Sequence, residues 1–217
     1  MTISAISAAE VCTKLSSGSF ESRFLYFMRL SGIEKVEVHY SGGGDSGSIE
    51  NIEVHSKTLS EDGRLLLEND FLNDRYDSEI GHYIWEKHGS FADGGGYHVS
   101  GKVVYSVGET ETEDSIDLEG TDYTTEYGEW NEEIEDYDTE EESEESWEEH
   151  CWSREEGEVY TGMGSMWGST KRNNDLSLLI RYATAKYDEV PEEIHNVILT
   201  AATMGDDAAK EYIKNKK

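Results

Sequence analysis

Residues 109–158, the acidic segment, carry 24 acidic side chains and one basic side chain, Arg154. This segment therefore holds most of the formal net charge of -30. Charge asymmetry of this kind points to an interaction segment more than to a requirement of the fold. The chain has 217 residues, which is long enough for one medium domain or two small ones.

The negative charge limits which partners the chain can attract. Phosphate backbones and anionic membranes would be repelled, because binding them requires lysine and arginine side chains. Basic proteins, polycations and divalent metal ions would be attracted instead. We therefore expect a basic protein partner, no direct nucleic-acid binding and no membrane association.

The cysteine content and the N-terminus indicate the compartment. Cys12 and Cys151 match neither a disulfide framework nor a CxxC metal site. The first residues lack a positively charged stretch followed by a long apolar run, which a signal peptide requires. We therefore predict a reduced, cytoplasmic setting without a membrane span.

Residues 1–108 are predicted to form an α+β module, with a small antiparallel sheet and flanking helices. Helices are predicted where apolar side chains recur every three or four positions, over residues 7–16, 20–31 and 75–88. Strands are predicted where apolar and polar residues alternate, around residues 36–40, 52–54, 97–107 and 116–118. Residues 41–47 are expected to form an enlarged hairpin loop, and Gly101 a bulge or bend.

The C-terminal part is predicted to be helical. Residues 159–170 have the glycine and serine content of a linker, and residues 171–217 are predicted to form a helical subdomain. Pro191 suits the first turn of a helix, and Gly205 suits a helix end. The chain would thus consist of four parts, residues 1–108, 109–158, 159–170 and 171–217.

Aromatic residues recur through the acidic segment at helical spacing. Four, three, four and three positions separate the five members of this series, Tyr123, Tyr127, Trp130, Ile134 and Tyr137. Such spacing is typical of one face of a helix. We therefore predict a partly helical acidic segment, although Gly128 costs about 1 kcal/mol relative to alanine. A solvated tail is the alternative, but disordered acidic tails are usually poor in aromatic residues.

The spacing of the acids suggests mimicry of a nucleic acid. Residues 126–149 contain 14 acids, which in a helix gives roughly one charge per 2.6 Å. DNA carries about one charge per 1.7 Å of duplex and about one per 3.4 Å of strand, whereas one extended chain here would have roughly one per 5.7 Å. The predicted partner-binding residues are Glu126, Glu129, Trp130, Glu132, Glu133, Glu135, Asp136, Tyr137, Asp138, Glu140, Glu141 and Glu142.

Signals for catalysis or metal binding are weak. Residues 44–47 read GDSG, the string around the nucleophile of trypsin-like proteases, but only His39 precedes it. A glycine-rich turn, or a backbone nest for an anion or peptide, accounts for the same string. The sequence has neither an EF-hand calcium loop nor an HExxH pattern. We therefore predict no cofactor and no metal site.

Two glycine motifs flank the helix predicted over residues 75–88. Residues 40–47 read YSGGGDSG, residues 85–86 read WE, and residues 93–96 read DGGG. Residues 20–108 thereby resemble an uncharacterised family of small bacterial and mobile-element domains with YxGxGDSG and WE…DGxxG patterns. The resemblance implies a phage or plasmid context in a bacterial cytoplasm, and no mechanism. It marks a loop site consisting of Asp45, Ser46, Trp85, Glu86 and Asp93.

Three functional hypotheses follow. The leading one is a non-enzymatic inhibitor or adaptor, whose acidic segment occupies the nucleic-acid-binding surface of a basic host protein, as a phage counter-defence factor would. The second is a small enzyme that uses Asp45, Glu86 and Asp93 near the two glycine loops. The third is a chaperone-like acidic protein that buffers basic proteins. Salt-sensitive binding favours the first or third, and turnover that depends on Asp45 favours the second.

Overall fold

The computed structural model describes residues 8–16, 19–44, 46–57, 59–70, 81–88, 96–154, 157–158, 192–203 and 205–215. The helices are α1 (Ala8–Ser16), α2 (Phe20–Ser31), α3 (Glu61–Asp70), α4 (Gly81–His88), α5 (Glu192–Thr203) and α6 (Asp207–Asn215). The strands are β1 (Ile33–Gly43), β2 (Ser46–Ser56), β3 (Tyr97–Ser106), β4 (Ser115–Tyr127), β5 (Trp130–Asn131), β6 (Asp136–Tyr137), β7 (Glu140–Ser153) and β8 (Gly157–Glu158). This arrangement confirms the predicted α+β class.

Six strands form one antiparallel sheet in the order β2-β1-β3-β4-β7-β8, and β5 and β6 form a separate pair. β3 pairs with β4 over its whole length, from Tyr97 opposite Thr124 to Ser106 opposite Ser115. The sheet therefore continues across the boundary predicted at residue 108, and the base of the acidic segment belongs to it.

Helix α2 matches its prediction because both of its ends are encoded locally. The hydroxyl of Ser19 accepts a hydrogen bond from the Ser22 amide at 3.2 Å, which caps the first turn. Gly32 has a φ of 68° and donates its amide to the carbonyls of Met28 and Arg29, a typical helix end. Helices α1, α5 and α6 also lie where helices were predicted. For the helix predicted over residues 75–88, the described part is α4, and residues 71–80 lie outside the described residues.

One core lies between the sheet and the helices. Phe24 of α2 contacts Tyr105 of β3 edge to face, with ring centroids 5.3 Å apart. The C-terminal helices contribute to the same core, and α5 contacts α1. Their buried side chains are Ile194, Val197, Ile198, Ala201, Ala209 and Tyr212. None of the described helices is long and apolar enough to cross a membrane.

The prediction of a partly helical acidic segment is wrong. β4 pairs with β7 from Ser115 opposite Ser153 to Tyr127 opposite Glu140. Beyond this pairing, β5 and β6 continue the two arms to a turn at residues 132–135. Residues 115–153 therefore form one long hairpin, here called the acidic hairpin. Strand β4 is rich in threonine and tyrosine, which favour strands, and β3 offers it a partner edge.

Two predictions about glycines are also wrong. Residues 41–47 do not form an enlarged loop, since β1 extends to Gly43, which pairs with Ser46 at the start of β2. Gly101 does not form a bulge, because the pairing of β3 with both neighbours is regular there. A Cβ at Gly101 would lie 2.6 Å from the Tyr40 hydroxyl. A glycine therefore allows the Tyr40 ring to lie against β3.

Candidate functional site

The acidic hairpin extends beyond the rest of the sheet. The pairing of β3 with β4 ends at Thr124, whereas β4 and β7 remain paired to Tyr127 and Glu140. Two further backbone hydrogen bonds of 2.9 Å join the arms, from Gly128 to the Thr139 carbonyl and from Asp138 to the Glu129 carbonyl. The outer part of the hairpin, residues 125–142, therefore runs past the end of β3 and presents side chains to solvent.

A cluster of exposed aromatic rings lies at the outer end of the acidic hairpin. The Tyr137 ring contacts Tyr127 at a centroid distance of 4.8 Å and Trp130, edge to face, at 5.4 Å. The exposed fractions are 46% for Tyr127, 56% for Trp130, 60% for Ile134 and 43% for Tyr137. Exposed apolar surface concentrated in one place marks an interaction site more often than scattered apolar residues do. We call these four side chains the tip cluster.

Carboxylates surround the tip cluster. The twelve predicted partner-binding residues named above all lie in residues 126–142, and every one of them is exposed. Three pairs of acids face each other directly across the arms, Glu119 with Glu148, Asp122 with Glu145, and Glu126 with Glu141. Like charges at directly opposite positions destabilise a strand pair. The hairpin therefore carries repulsion that a bound cationic group would relieve.

The hairpin also provides the charge spacing that was expected of a helix. Residues 122–145 contain 13 acids and no lysine or arginine. At about 3.3 Å per residue, the two arms lie side by side over a length of roughly 33 Å. The hairpin therefore carries roughly one charge per 2.5 Å of its length. This value lies between the charge spacing of a DNA strand and that of the duplex. Because the chain folds back on itself, the hairpin has a higher linear charge density than a single extended strand would have.

A partly buried hydrogen-bond network contacts the acidic hairpin on the side of β3 and α4. Asp122 Oδ1 accepts hydrogen bonds from the Tyr97 hydroxyl at 3.1 Å and from Trp147 Nε1 at 2.9 Å. Tyr97 Oη lies 2.9 Å from His88 Nδ1, and Tyr40 Oη lies 2.7 Å from His88 Nε2. Because Tyr97 donates its proton to Asp122, His88 Nδ1 donates to Tyr97 and Nε2 accepts from Tyr40. We call these five residues the His88 network.

Two glycines make room for the His88 network. Tyr40, Gly101, Gly120 and Trp147 lie side by side in one row across β1, β3, β4 and β7. The His88 ring lies between the outer two, with its centroid 5.6 Å from that of Tyr40 and 5.3 Å from that of Trp147. Helix α4 is thereby attached to both the β1–β3 part of the sheet and the hairpin.

His88 should make the stability of the protein depend on pH. Burial lowers the pKa of His88 to about 4, an effect that the Asp122 carboxylate only partly offsets. In the unfolded chain, histidine titrates near pKa 6.5. The contribution of neutral His88 to the free energy of unfolding is therefore complete above about pH 6.5. It is lost as the pH falls from there to about 4, because the histidine of the unfolded chain binds a proton at a higher pH than that of the folded chain.

We expect His88→Gln to flatten this pH dependence of the free energy of unfolding, as measured by urea denaturation between about pH 7 and about pH 4.5. The matched control is His98→Gln, at an exposed histidine of β3, which should keep the wild-type slope. Equal slopes for the wild type and His88→Gln would show that His88 is not the group that titrates.

The loop site predicted from the glycine motifs is only partly described. Asp45 and Asp93 lie outside the described residues, and so do the side chains of Trp85 and Glu86, whose backbone belongs to α4. Ser46 is exposed at the first position of β2. That these five residues form one site stays a prediction.

The His88 network was not predicted, although the sequence contains one signal for it. Gly101 and Gly120 each interrupt an alternating strand, and a glycine within a strand often marks the close approach of another group. Sequence spacing alone does not show which aromatic rings approach these glycines.

Comparison with known proteins was made for the whole chain. No family model matches it, and no match was found among curated proteins or solved structures. The resemblance of residues 20–108 to an uncharacterised bacterial family therefore stays a prediction.

Proposed function

We propose that the protein is a non-enzymatic inhibitor that binds a basic, nucleic-acid-binding protein through the acidic hairpin. The observation that carries this proposal is the tip cluster, whose apolar side chains are exposed at the end of a hairpin with 13 acids and no lysine or arginine in residues 122–145. A solvated tail is not expected to contain a cluster of exposed aromatic rings, whereas aromatic side chains often act as anchors in an interface.

The two kinds of side chain have separate roles in this proposal. The carboxylates attract the partner over a distance and accelerate encounter, because charges at the rim of an interface act mainly on the association rate. The aromatic rings then bind the partner's lysine and arginine side chains by stacking and cation–π contacts. Binding also relieves the repulsion between facing acids such as Glu126 and Glu141.

The charge spacing supports competition with nucleic acid. A protein surface adapted to phosphates would meet carboxylates at roughly one per 2.5 Å along the hairpin, close to the spacing along DNA. A phage counter-defence role would follow if the partner is a host protein that acts on nucleic acid. The enzymatic alternative through Asp45, Glu86 and Asp93 stays a prediction, since these side chains lie outside the described residues.

A competition experiment tests the proposal. Basic proteins are captured on the immobilised chain at low salt and eluted at high salt. The Debye length is about 10 Å at about 0.1 M salt and about 3 Å at about 1 M salt, so high salt screens the attraction between the charges. The affinity of each eluted protein for duplex DNA is then measured with and without the chain. We expect the chain to weaken DNA binding, and this inhibition to diminish steeply as salt rises.

A charge-matched pair of variants separates the hairpin from net charge. The test variant combines Glu132→Gln, Glu133→Gln, Glu135→Gln and Asp136→Asn. The control removes the same number of exposed acids from helices α3, α5 and α6 by Glu61→Gln, Asp62→Asn, Glu192→Gln and Glu211→Gln. The test variant should associate more slowly and inhibit less than the control. Equal inhibition by both variants, or no competition at any salt concentration, would contradict the proposal.

A further inference from the structure

A cluster of histidines and glutamates lies on β1 and β2, on the polar face of the sheet. Glu37 pairs directly with Glu53, and the neighbouring pairs place His39 opposite Asn51 and His55 opposite Lys35. Alternate residues of a strand point to the same face. Glu37, His39, Glu53 and His55 therefore share one face, opposite the buried Val36 and Val38.

The donor atoms of these side chains lie close together. His55 Nε2 is 2.8 Å from Glu37 Oε2 and 3.9 Å from Glu53 Oε2, and His39 Nε2 is 3.8 Å from Glu53 Oε1. One donor atom from each of Glu37, Glu53 and His55 lies within 4.8 Å of the others. Ligand atoms around a tetrahedral zinc ion are about 3.4 Å apart, given bonds of about 2.1 Å. Small rotations of the exposed Glu53 and His55 side chains would bring these three donor atoms to that spacing. His39 Nε2, which lies 3.8 Å from Glu53 Oε1, is outside the group of atoms within 4.8 Å of one another and would have to move further.

The contacts of the Glu37 carboxylate suit a metal ligand. Its side chain is largely buried, and Lys102 and Lys35 both contact Oε1, at 2.6 and 3.3 Å. Oε2 is left to face His55. The carboxylate is thus held in place through its other oxygen, Oε1, as ligating carboxylates usually are.

His39 supplies an independent observation. In the described part of the chain, its Nε2 is shielded from solvent and has no hydrogen-bond partner within the structure. The His39 side chain as a whole is 36% exposed, so the ring can move, and a metal ion bound next to Glu53 would give this nitrogen a partner. His39 also lines an open groove of about 430 Å³ that Lys102, Glu119 and Glu148 border. An ion at this site would therefore lie at the edge of that groove.

We propose that Glu37, Glu53, His55 and His39 form a binding site for Zn²⁺. Imidazole and carboxylate donors together suit zinc, whereas calcium and magnesium take oxygen ligands. The ion would join β1 to β2 on the polar face of the sheet. The site differs from the acidic hairpin, in which residues 122–145 include many carboxylates and no histidine.

A metal titration with the full chain tests the site. Co²⁺ is added in the presence of excess Mg²⁺, which occupies the weak carboxylate sites of the acidic hairpin, and Zn²⁺ is then used to displace it. We expect one equivalent of Co²⁺ with the intense visible absorption of four-coordinate nitrogen and oxygen ligation. His55→Ala and Glu53→Gln should each weaken Zn²⁺ binding by at least about 100-fold. Both side chains are exposed, so the fold should survive these changes.

Two controls decide the interpretation. His98→Ala, at an exposed histidine outside the cluster, should leave the affinity unchanged, and so should the hairpin variant with four neutralised acids. Zn²⁺ should raise the urea midpoint of the wild type and not that of His55→Ala, since a ligand stabilises only the state that binds it. Wild-type affinity in both His55→Ala and Glu53→Gln would overturn the proposal. Loss of the bound equivalent in the hairpin variant would overturn it as well.

Discussion

Replacing Trp130 with alanine is expected to weaken binding of the basic partner by about 30-fold. Truncating an aromatic anchor at the centre of an interface costs about 2 kcal/mol, and each 1.4 kcal/mol is a factor of about ten in the dissociation constant. The indole is more than half exposed and packs edge-on against Tyr137. The free energy of unfolding should therefore change by less than about 0.5 kcal/mol.

The measurement is the dissociation constant of the captured DNA-binding protein, determined together with a urea denaturation curve for each variant. Tyr137→Ala should show a similar loss. The matched control is Leu199→Ala on α5, another exposed large apolar side chain far from the acidic hairpin in the sequence, and it should bind like the wild type. If Trp130→Ala also binds like the wild type, the charges act alone and the tip cluster is not an anchor.

Replacing Asp114 with alanine is expected to lower the free energy of unfolding by about 3–5 kcal/mol. The Asp114 side chain is fully buried just before β4, where it forms ion pairs with Arg29 of α2 and, at 3.2 Å, with Arg154 after β7. It also accepts a hydrogen bond of 3.3 Å from the Gly108 amide. Its loss would leave two partly buried guanidinium groups without their counter-charge.

Urea denaturation checks this expectation, with an exposed ion pair as the control. Glu34 lies 2.8 Å from Lys57, and both side chains are largely exposed, so Glu34→Ala should cost at most about 1 kcal/mol. A loss for Asp114→Ala that is no larger than this control would mean that water already compensates the two arginines.

The helices could be predicted from the sequence where the residues that mark their ends lie next to the helix. The ends of α2 follow from Ser19 and Gly32, which lie beside the residues that they cap. Helix α3 was missed, because its three leucines at positions 65–67 are consecutive and show no helical spacing. Its start is nevertheless marked by Ser60, whose hydroxyl accepts a hydrogen bond from the Gly63 amide at 3.2 Å.

The acidic hairpin was not predictable from spacing, because its contacts are nonlocal. Intervals of three and four residues fit one face of a helix, but they also fit two arms that fold back on each other. Tyr127 contacts Tyr137 from the opposite arm, ten positions away. The exposure of most of the acids was predictable from composition, whereas the placement of the aromatic rings depends on the register of β4 against β7.

The His88 network and the histidine–glutamate cluster depend on register in the same way. Glu37 and His55 are 18 positions apart, and His88 and Tyr40 are 48 apart. Neither pair forms a recognisable sequence motif. They meet because strand pairing and helix docking bring distant residues together, which one sequence without relatives does not reveal.

The outer edge of β7 has a consequence for solubility. In the described residues, β7 bonds to β8 only at Trp152 and Ser153, and seven of the ten residues in 140–149 are glutamates. A long open strand usually invites a second copy to pair with it, and charged side chains prevent this. Two such edges would repel each other, and the charge on β7 would therefore oppose edge-to-edge pairing of two copies of the chain. A polycation in excess would neutralise this charge, so that the complex with all of its acids neutralised would no longer be protected against such pairing.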